Sequence, residues 1–390
     1  MTIASEISRI ESNIANAYTQ CGNKWATIPS TQNSSNLANC IASIKAGVPK
    51  EVSSGGVYQN QTSSYTFTLP STATNIGDKA LYYAFYNSTG LTSADLSSLT
   101  SVTGTDALRN AFEGCTNLTS VDLSSLASAS GAYTLGYICN GCTNLATINI
   151  SNLASLSGNY ILYSAFKNTG ITSLSLPKIE ELNDNQMMYS IAEGCTSLAS
   201  IDFSGLETIA GTGTFNHGFT SSALTSVSFP ELTTCTGGNA FYYAFENSSN
   251  LTSATFPKLE QIGLNTTSIN GQHFGFAFNG TSVTTLTFPE LTTIYATGSG
   301  GSTLGLTTCY GTFVGNTTIT KMYFPKLTTI TFGTGAVNNN QLACKNIFKG
   351  CTALTELHFG SANQAAIEAT TGYATLWGLD SGQVTVYFDL

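Results

Sequence analysis

Charge is scarce in this chain. Only 9% of its 390 residues are charged, and Ser, Thr, Asn and Gly supply the polar surface instead. The 13 Lys and Arg are outnumbered by 22 Asp and Glu, for a net charge of −9. That balance disfavours an electrostatic grip on nucleic acid or an anionic membrane. No run of about 18 apolar residues occurs, so no membrane insertion is expected. The opening MTIASEISRIESNIANAY carries Glu6 and Glu11 inside its apolar pattern, with no basic stretch before an apolar block, and does not read as a signal peptide. Histidine is limited to His217, His273 and His358, at different places and in no metal or triad motif. Neither an enzyme nor a cofactor is therefore expected.

What the chain has is repetition. The stretch Ala111 to Tyr137, AFEGCTNLTSVDLSSLASASGAYTLGY, recurs with openings at Ala84, Ala111, Ile138, Ala165, Ile191, Gly218, Ala244, Ala277, Thr312 and Ile347. Such a period marks a solenoid, in which each repeat packs on its neighbours, so 42% hydrophobic residues form one long core. One apolar column runs from Ala94 through Val121, Ile148 and Leu174 to Leu357, and another from Leu96 through Leu123 and Ile150 to Phe359. The two columns stand two residues apart, which is strand periodicity with one face buried. Columns repeated once per turn stack equivalent strands in parallel. The expected fold is an α/β-type, right-handed leucine-rich solenoid of about ten rungs over residues 65–360, with a stacked parallel sheet and mostly irregular return segments. The change from Leu to Phe at Phe203 and beyond predicts a bulkier core in the C-terminal half.

The flanks differ. Residues 1–46 read as a helical hairpin module, with Ile3, Ile7, Ile10 and Ile14 on one seam and Leu37, Ile41 and Ile44 on the second helix. The alternative is an oligomerisation or attachment module, since Ile at both seam positions favours higher oligomers; a homo-oligomer through this helix is the corresponding expectation. Residues 47–64 read as a linker, and 361–390 as a cap containing a short helix near 362–370 and a closing strand at 383–388. The longer late spacings place loops at 265–271, 295–303 and 333–340.

Cys115, Cys142, Cys195 and Cys351 share one column, and Cys309 and Cys344 another that elsewhere holds Leu, Met or Phe. Both patterns fit reduced, buried thiols acting as small hydrophobes. Two surfaces are candidates for recognition. On the outward strand face, Ser, Thr and Asp columns give way to Lys321, Tyr323, Glu356 and His358, where large polar groups converge. In the return segment, Tyr82, Tyr163, Tyr189, Tyr242 and Tyr310 share one column, with Tyr83, Tyr137, Tyr243 and Phe276 beside it. Those rings either stack on a ligand such as a sugar or serve as buttresses with only their hydroxyls wet. Asp95 and Asp122 occupy equivalent positions and raise a carboxylate pair or a weak calcium contact as a further option.

The repeat, best seen in AFEGCTNLTSVDLSSL and IAEGCTSLASIDFSGLETI, resembles the BspA-type leucine-rich repeat of bacterial surface proteins. The two ends of the chain resemble flanks of phage or prophage tail-associated proteins. These resemblances imply a non-enzymatic scaffold that acts outside the cell, on a cell surface or a virion, and binds a cell-surface protein or glycan. A structural role in a particle, docked through residues 1–46, is the other class they imply.

Overall fold

A computed structural model describes residues 58–264, 272–296, 312–332, 347–370, Tyr373 and 383–390. The expected helical hairpin and its seam, the three late loops for the most part, and Tyr310, Cys309 and Cys344 lie outside the described residues.

The described residues coil into a solenoid of stacked parallel strands. Its first ladder contains Tyr65–Thr68, Leu91–Asp95, Ser120–Asp122 and Thr147–Asn149, and later Thr285–Thr287, Lys321–Phe324, Glu356–Phe359 and Thr385–Phe388. The register puts Val121 opposite Ala94 and Ile148, as the columns require. Ala94, Val121, Leu174, Val227, Leu286 and Leu357 are buried, while the flanking Ser, Thr and Asp face out.

A second parallel ladder replaces part of the expected irregular return. It comes in two parts: Asn75–Ile76, Ser101–Thr103, Ser128–Ser130 and Ser155–Ser157 pair in one sheet, and Glu181–Leu182, Thr208–Ile209, Thr234–Cys235, Gln261–Ile262, Thr293–Ala296 and Thr329–Phe332 in the next. Most of these strands bury one residue each, such as Val102, Leu182 or Ile209. A strand with one buried position shows no alternation, so the period-two signal is missing.

The first ladder loses its pairing after Thr147–Asn149, after Ser200–Asp202 and after Ser253–Thr255. The following repeats share one feature: a corner shortened by a residue. Thr169-Gly170-Ile171, Ser222-Ala223-Leu224 and Thr281-Ser282-Val283 stand where Cys115-Thr116-Asn117-Leu118 has four residues. Losing one residue ahead of a strand changes its approach to the neighbour, and the ladder restarts from the next turn.

The third wall is built from linked turns. Leu81, Tyr83, Phe85 and Asn87 donate their backbone N–H groups to Ala107, Arg109, Ala111 and Glu113 one coil on; Ala80, Tyr82, Ala84 and Tyr86 donate three residues back. The backbone amides are thereby satisfied without a regular strand. Every fourth residue takes a left-handed conformation, as at Lys79, Tyr83 and Asn87, with φ of 52°, 52° and 55°. The side chains follow a two-in, two-out pattern: Ala80, Leu81, Ala84 and Phe85 are buried, and Tyr82, Tyr83 and Tyr86 are half-exposed.

Phenylalanine dominates the C-terminal half of the core. Phe203, Phe229, Phe256, Phe288, Phe324 and Phe359 form one stack, with successive centroids 5.6–6.0 Å apart. Cys115, Cys142, Cys195 and Cys351 are buried and unpaired. Each thiol points to a Phe carbonyl one coil back, as Cys115 Sγ does to Phe85 O at 3.0 Å. Their column therefore selects a hydrogen-bond donor as well as a small residue. Ser88, Thr169, Ser222, Ser248, Thr281 and Asn316 fill it elsewhere, and Ser248 Oγ donates to Phe219 O at 3.0 Å. The short helix Gln364–Glu368 and the strand Thr385–Phe388 follow the last rung, the strand parallel to Glu356–Phe359.

Candidate binding surfaces

On the strand face, the register sets Lys321 beside Glu356 and Tyr323 beside His358. Lys321 Nζ lies 2.9 Å from Glu356 Oε2, and His358 Nε2 lies 3.1 Å from the same oxygen. The Lys321 hydrogen bond, then that of His358, lowers the Glu356 carboxyl below its usual value. His358 is 8% exposed, sandwiched between Tyr323 and Tyr387 with centroids 4.5 and 4.6 Å away. Its Nδ1 faces Asp389 at 3.0 Å. The four expected residues thus meet, but the imidazole is spent inside the cluster, where it fastens the last strand to the rung before it. Tyr387, 38% exposed, and Leu390, 45%, are the large apolar side chains left open there.

Along the remaining strand face the polar columns bond to themselves. Thr255 Oγ1 donates to Ser228 Oγ at 2.9 Å, and Ser175 Oγ to Asp202 Oδ2 at 3.1 Å. Asp95 and Asp122 each accept the backbone N–H two residues on, from Ser97 at 2.9 Å and Ser124 at 2.8 Å. These carboxylates close the turn that ends each strand, and hydrogen bonds from the Ser97 hydroxyl and then from its backbone N–H pull the Asp95 carboxyl below its ordinary value.

The turn wall carries the tyrosines. Tyr82, Tyr163, Tyr189 and Tyr242 are all half-buried. They do not form an unbroken column, because Arg109, Gly136 and Asn216 occupy the same position in other coils. The rings instead form a ladder that weaves between neighbouring columns. Tyr133 stacks on Tyr160 at 4.6 Å and Tyr163 on Tyr189 at 4.8 Å, with planes 4° and 3° apart. His217 stacks on Tyr243 and Tyr243 on Phe276, both at 4.8 Å. At one end Arg109 lies 4.3 Å over Tyr133, held by Asp106 at 3.1 Å.

Between these stacks lies a groove of about 420 Å³ lined by Tyr137, Tyr163, Lys167, Tyr189, Glu193 and His217, among others. Lys167 Nζ lies 2.9 Å from Glu193 Oε2. Burial works to raise the Glu193 carboxyl, but its hydrogen bonds to Ser190 and Lys167 prevail and lower it. Burial lowers the His217 imidazole against the opposing pull of Glu193 and Glu246, and pushes the Tyr163 phenol up to about 12. The groove is a neutral aromatic rim around one ion pair.

Sequence reasoning found Tyr82, Tyr163, Tyr189 and Tyr242 but missed Tyr133, Tyr160, His217, Arg109 and Glu193. The signal was present: polar and aromatic residues fall in adjacent pairs between pairs of core residues. That pattern fits neither a helix nor a strand, only linked turns.

A profile of the BspA type leucine rich repeat region matches in 6 copies, over residues 1–109, 50–192, 136–244 and 192–298. The chain belongs to the BspA-type leucine-rich repeat family. Proteins of this repeat class generally serve as non-enzymatic binding scaffolds. Among solved structures, a leucine-rich repeat protein from Bacteroides ovatus is similar, at 19% identity and a TM-score of 0.46, over 76% of this chain and 63% of its own. The BspA-type chain thus spans less than two thirds of that protein. A leucine rich cell surface protein from Faecalibacterium prausnitzii matches at 14% identity and a TM-score of 0.27, over 82% of this chain and 92% of its own. The T. pallidum leucine rich repeat protein matches at 19% identity and a TM-score of 0.23, over 40% of this chain and 76% of its own. No curated protein matches the chain. Among the described residues, no helix is long and apolar enough to cross a membrane.

Proposed function

We propose that this protein is a non-enzymatic adhesive scaffold acting at a cell surface, and that it recognises a protein partner through the aromatic strip of its turn wall. Membership of a repeat family typical of bacterial surfaces supports the location. The observation that carries the reading is the choice of residue at strained backbone positions. Tyr83, Tyr133, Tyr137, Tyr160, His217, Tyr243 and Phe276 all have φ between 52° and 63°. Equivalent turns place non-aromatic polar residues at the same positions, Asn110, Ser164 and Ser190 in one column and Lys79, Asp106, Gln186 and Asn239 in the other. A side chain with a bulky ring in that region costs about 1–2 kcal/mol, and these rings lie outside the core. Strain kept without a return in core packing points to function.

The geometry favours protein over sugar. A ring that binds a sugar offers it an open face, and each ring of the stacked pairs and of the His217–Tyr243–Phe276 triple has at least one face covered by its neighbour. What remains outward is ring edge and hydroxyl on a rigid, shallow surface, which suits protein contacts with little loss of side-chain entropy.

The test is binding of the labelled chain to a panel of bacterial and epithelial cells before and after protease treatment and mild periodate oxidation. Binding lost on protease treatment is the expected result. Binding that survives protease and is lost on oxidation would make the partner a glycan, and binding to no cell would remove the adhesive reading.

A further inference from the structure

The ring ladder changes column at one place. Tyr163 and Tyr189 stack in one column, and His217, Tyr243 and Phe276 in the next. Past Tyr189 its own column continues with Asn216, so the face of Tyr189 turned away from Tyr163 meets the ring of His217 at a 50° tilt and 6.1 Å. A wedge opens there, and Glu193 and Lys167 line the same groove.

The strip already shows what such a place holds. Arg109, which stands in the column of Tyr163 and Tyr189, rests on Tyr133 at 4.3 Å and reaches Tyr137 at 5.9 Å, with Asp106 at 3.1 Å as its counter-ion. The groove repeats these components, tyrosine rings beside a carboxylate, and its cation is the flexible ammonium of Lys167 at the half-exposed Glu193. Glu246 also acts on His217 from the next coil, so acidic groups approach the wedge from two coils. The chain as a whole carries −9, which draws basic partners.

We infer that this groove receives an arginine side chain of the partner protein, its guanidinium on the outer face of Tyr189 and paired with Glu193. The inference rests on the turn wall being the contact surface. Arginine is favoured over lysine because its planar group stacks on an aromatic face while its N–H groups reach a carboxylate side-on. Lys167 is displaced from Glu193 as the arginine enters, so the endogenous ion pair acts as a competitor.

The experiment titrates the full chain with acetyl-Gly-Gly-Arg-Gly-Gly-amide and with the same peptide carrying neutral citrulline, followed by saturation-transfer NMR. The arginine peptide is expected to bind about fivefold more tightly than its citrulline counterpart. Glu193→Gln should weaken it about fivefold, and Lys167→Ala, which frees Glu193, should tighten it about twofold. Glu290→Gln removes a charge from an exposed pair with Lys326 and should leave the affinity within about twofold. Equal binding of the two peptides, equal loss in Glu193→Gln and Glu290→Gln, or weaker binding by Lys167→Ala would each overturn the inference. The two readings fail separately. If Tyr163→Ala/Tyr189→Ala abolishes cell binding while Glu193→Gln binds cells fully, the strip stands and the arginine site falls.

Discussion

Tyr163 and Tyr189 stand one coil apart with their ring planes 3° from parallel and their centroids 4.8 Å apart, so each covers one face of the other. Both are half-buried, and burial raises both phenols. Truncating either to Ala should therefore cost stability modestly, about 1–2 kcal/mol in urea unfolding. A loss as large as that of a core Phe, about 3–5 kcal/mol, would make the pair a structural buttress instead of a presented surface.

Glycines of the wall separate strain from collision. Gly131 has φ of 107°, and a Cβ there would lie 2.5 Å from the backbone carbonyl of Gly104. Gly141 has φ of 74°, but its nearest neighbour, Gly114 N, would be 3.9 Å away. Gly141→Ala should cost about 1 kcal/mol, from backbone strain alone. Gly131→Ala should cost about 3 kcal/mol or more, because one coil's backbone must move off the next. Denaturant midpoints of the two variants check this; equal losses would deny the close approach.

The described cysteines should be inert in the native state. Burial pushes the Cys351 thiol up to about 12 and raises those of Cys115, Cys142, Cys195 and Cys235. Site-resolved mass spectrometry should find them unlabelled by iodoacetamide at pH 8 and labelled once unfolded. Cys142 Sγ also donates to Phe112 O at 2.9 Å. Cys142→Ser, which retains the donor, should be about 1 kcal/mol more stable than Cys142→Val.

His217 adds a pH dependence with a definite sign. Its folded pKa lies below the ordinary 6.5 because burial disfavours the charged ring. In the window beneath 6.5 the unfolded chain takes up the proton first. The stabilisation is therefore complete above that value and is lost as pH falls through the folded pKa. His217→Asn places at this left-handed position a residue used in equivalent turns and should flatten the fall in melting temperature just below pH 6.5. An unchanged slope would show that the ring is not held neutral.

How much of this was legible follows from periodicity. Columns such as Leu286–Met322–Leu357 declare a parallel ladder because each strand buries alternate residues over a repeat that recurs many times. The second ladder hides because strands such as Glu181–Leu182 bury a single side chain. Lys321, Tyr323, Glu356 and His358 were findable because register follows from the repeat. Asp389 and Tyr387, which complete their cluster, were not, because they arrive with a final strand beyond the repeating pattern. On the turn wall, the weave of Tyr133, Tyr160 and His217 depends on left-handed residues spaced four apart, and no helix or strand template sets such neighbours side by side.

The most direct test of the central claim compares two variants of the intact chain for binding to the same cells. One removes the aromatic strip, Tyr163→Ala/Tyr189→Ala/Tyr242→Ala, and the other the terminal strand-face cluster, Lys321→Ala/Glu356→Ala. With both shown folded by circular dichroism, the strip variant should lose at least about tenfold in affinity and the strand-face variant less than about twofold. The reverse pattern would contradict the account and move recognition to the strand face.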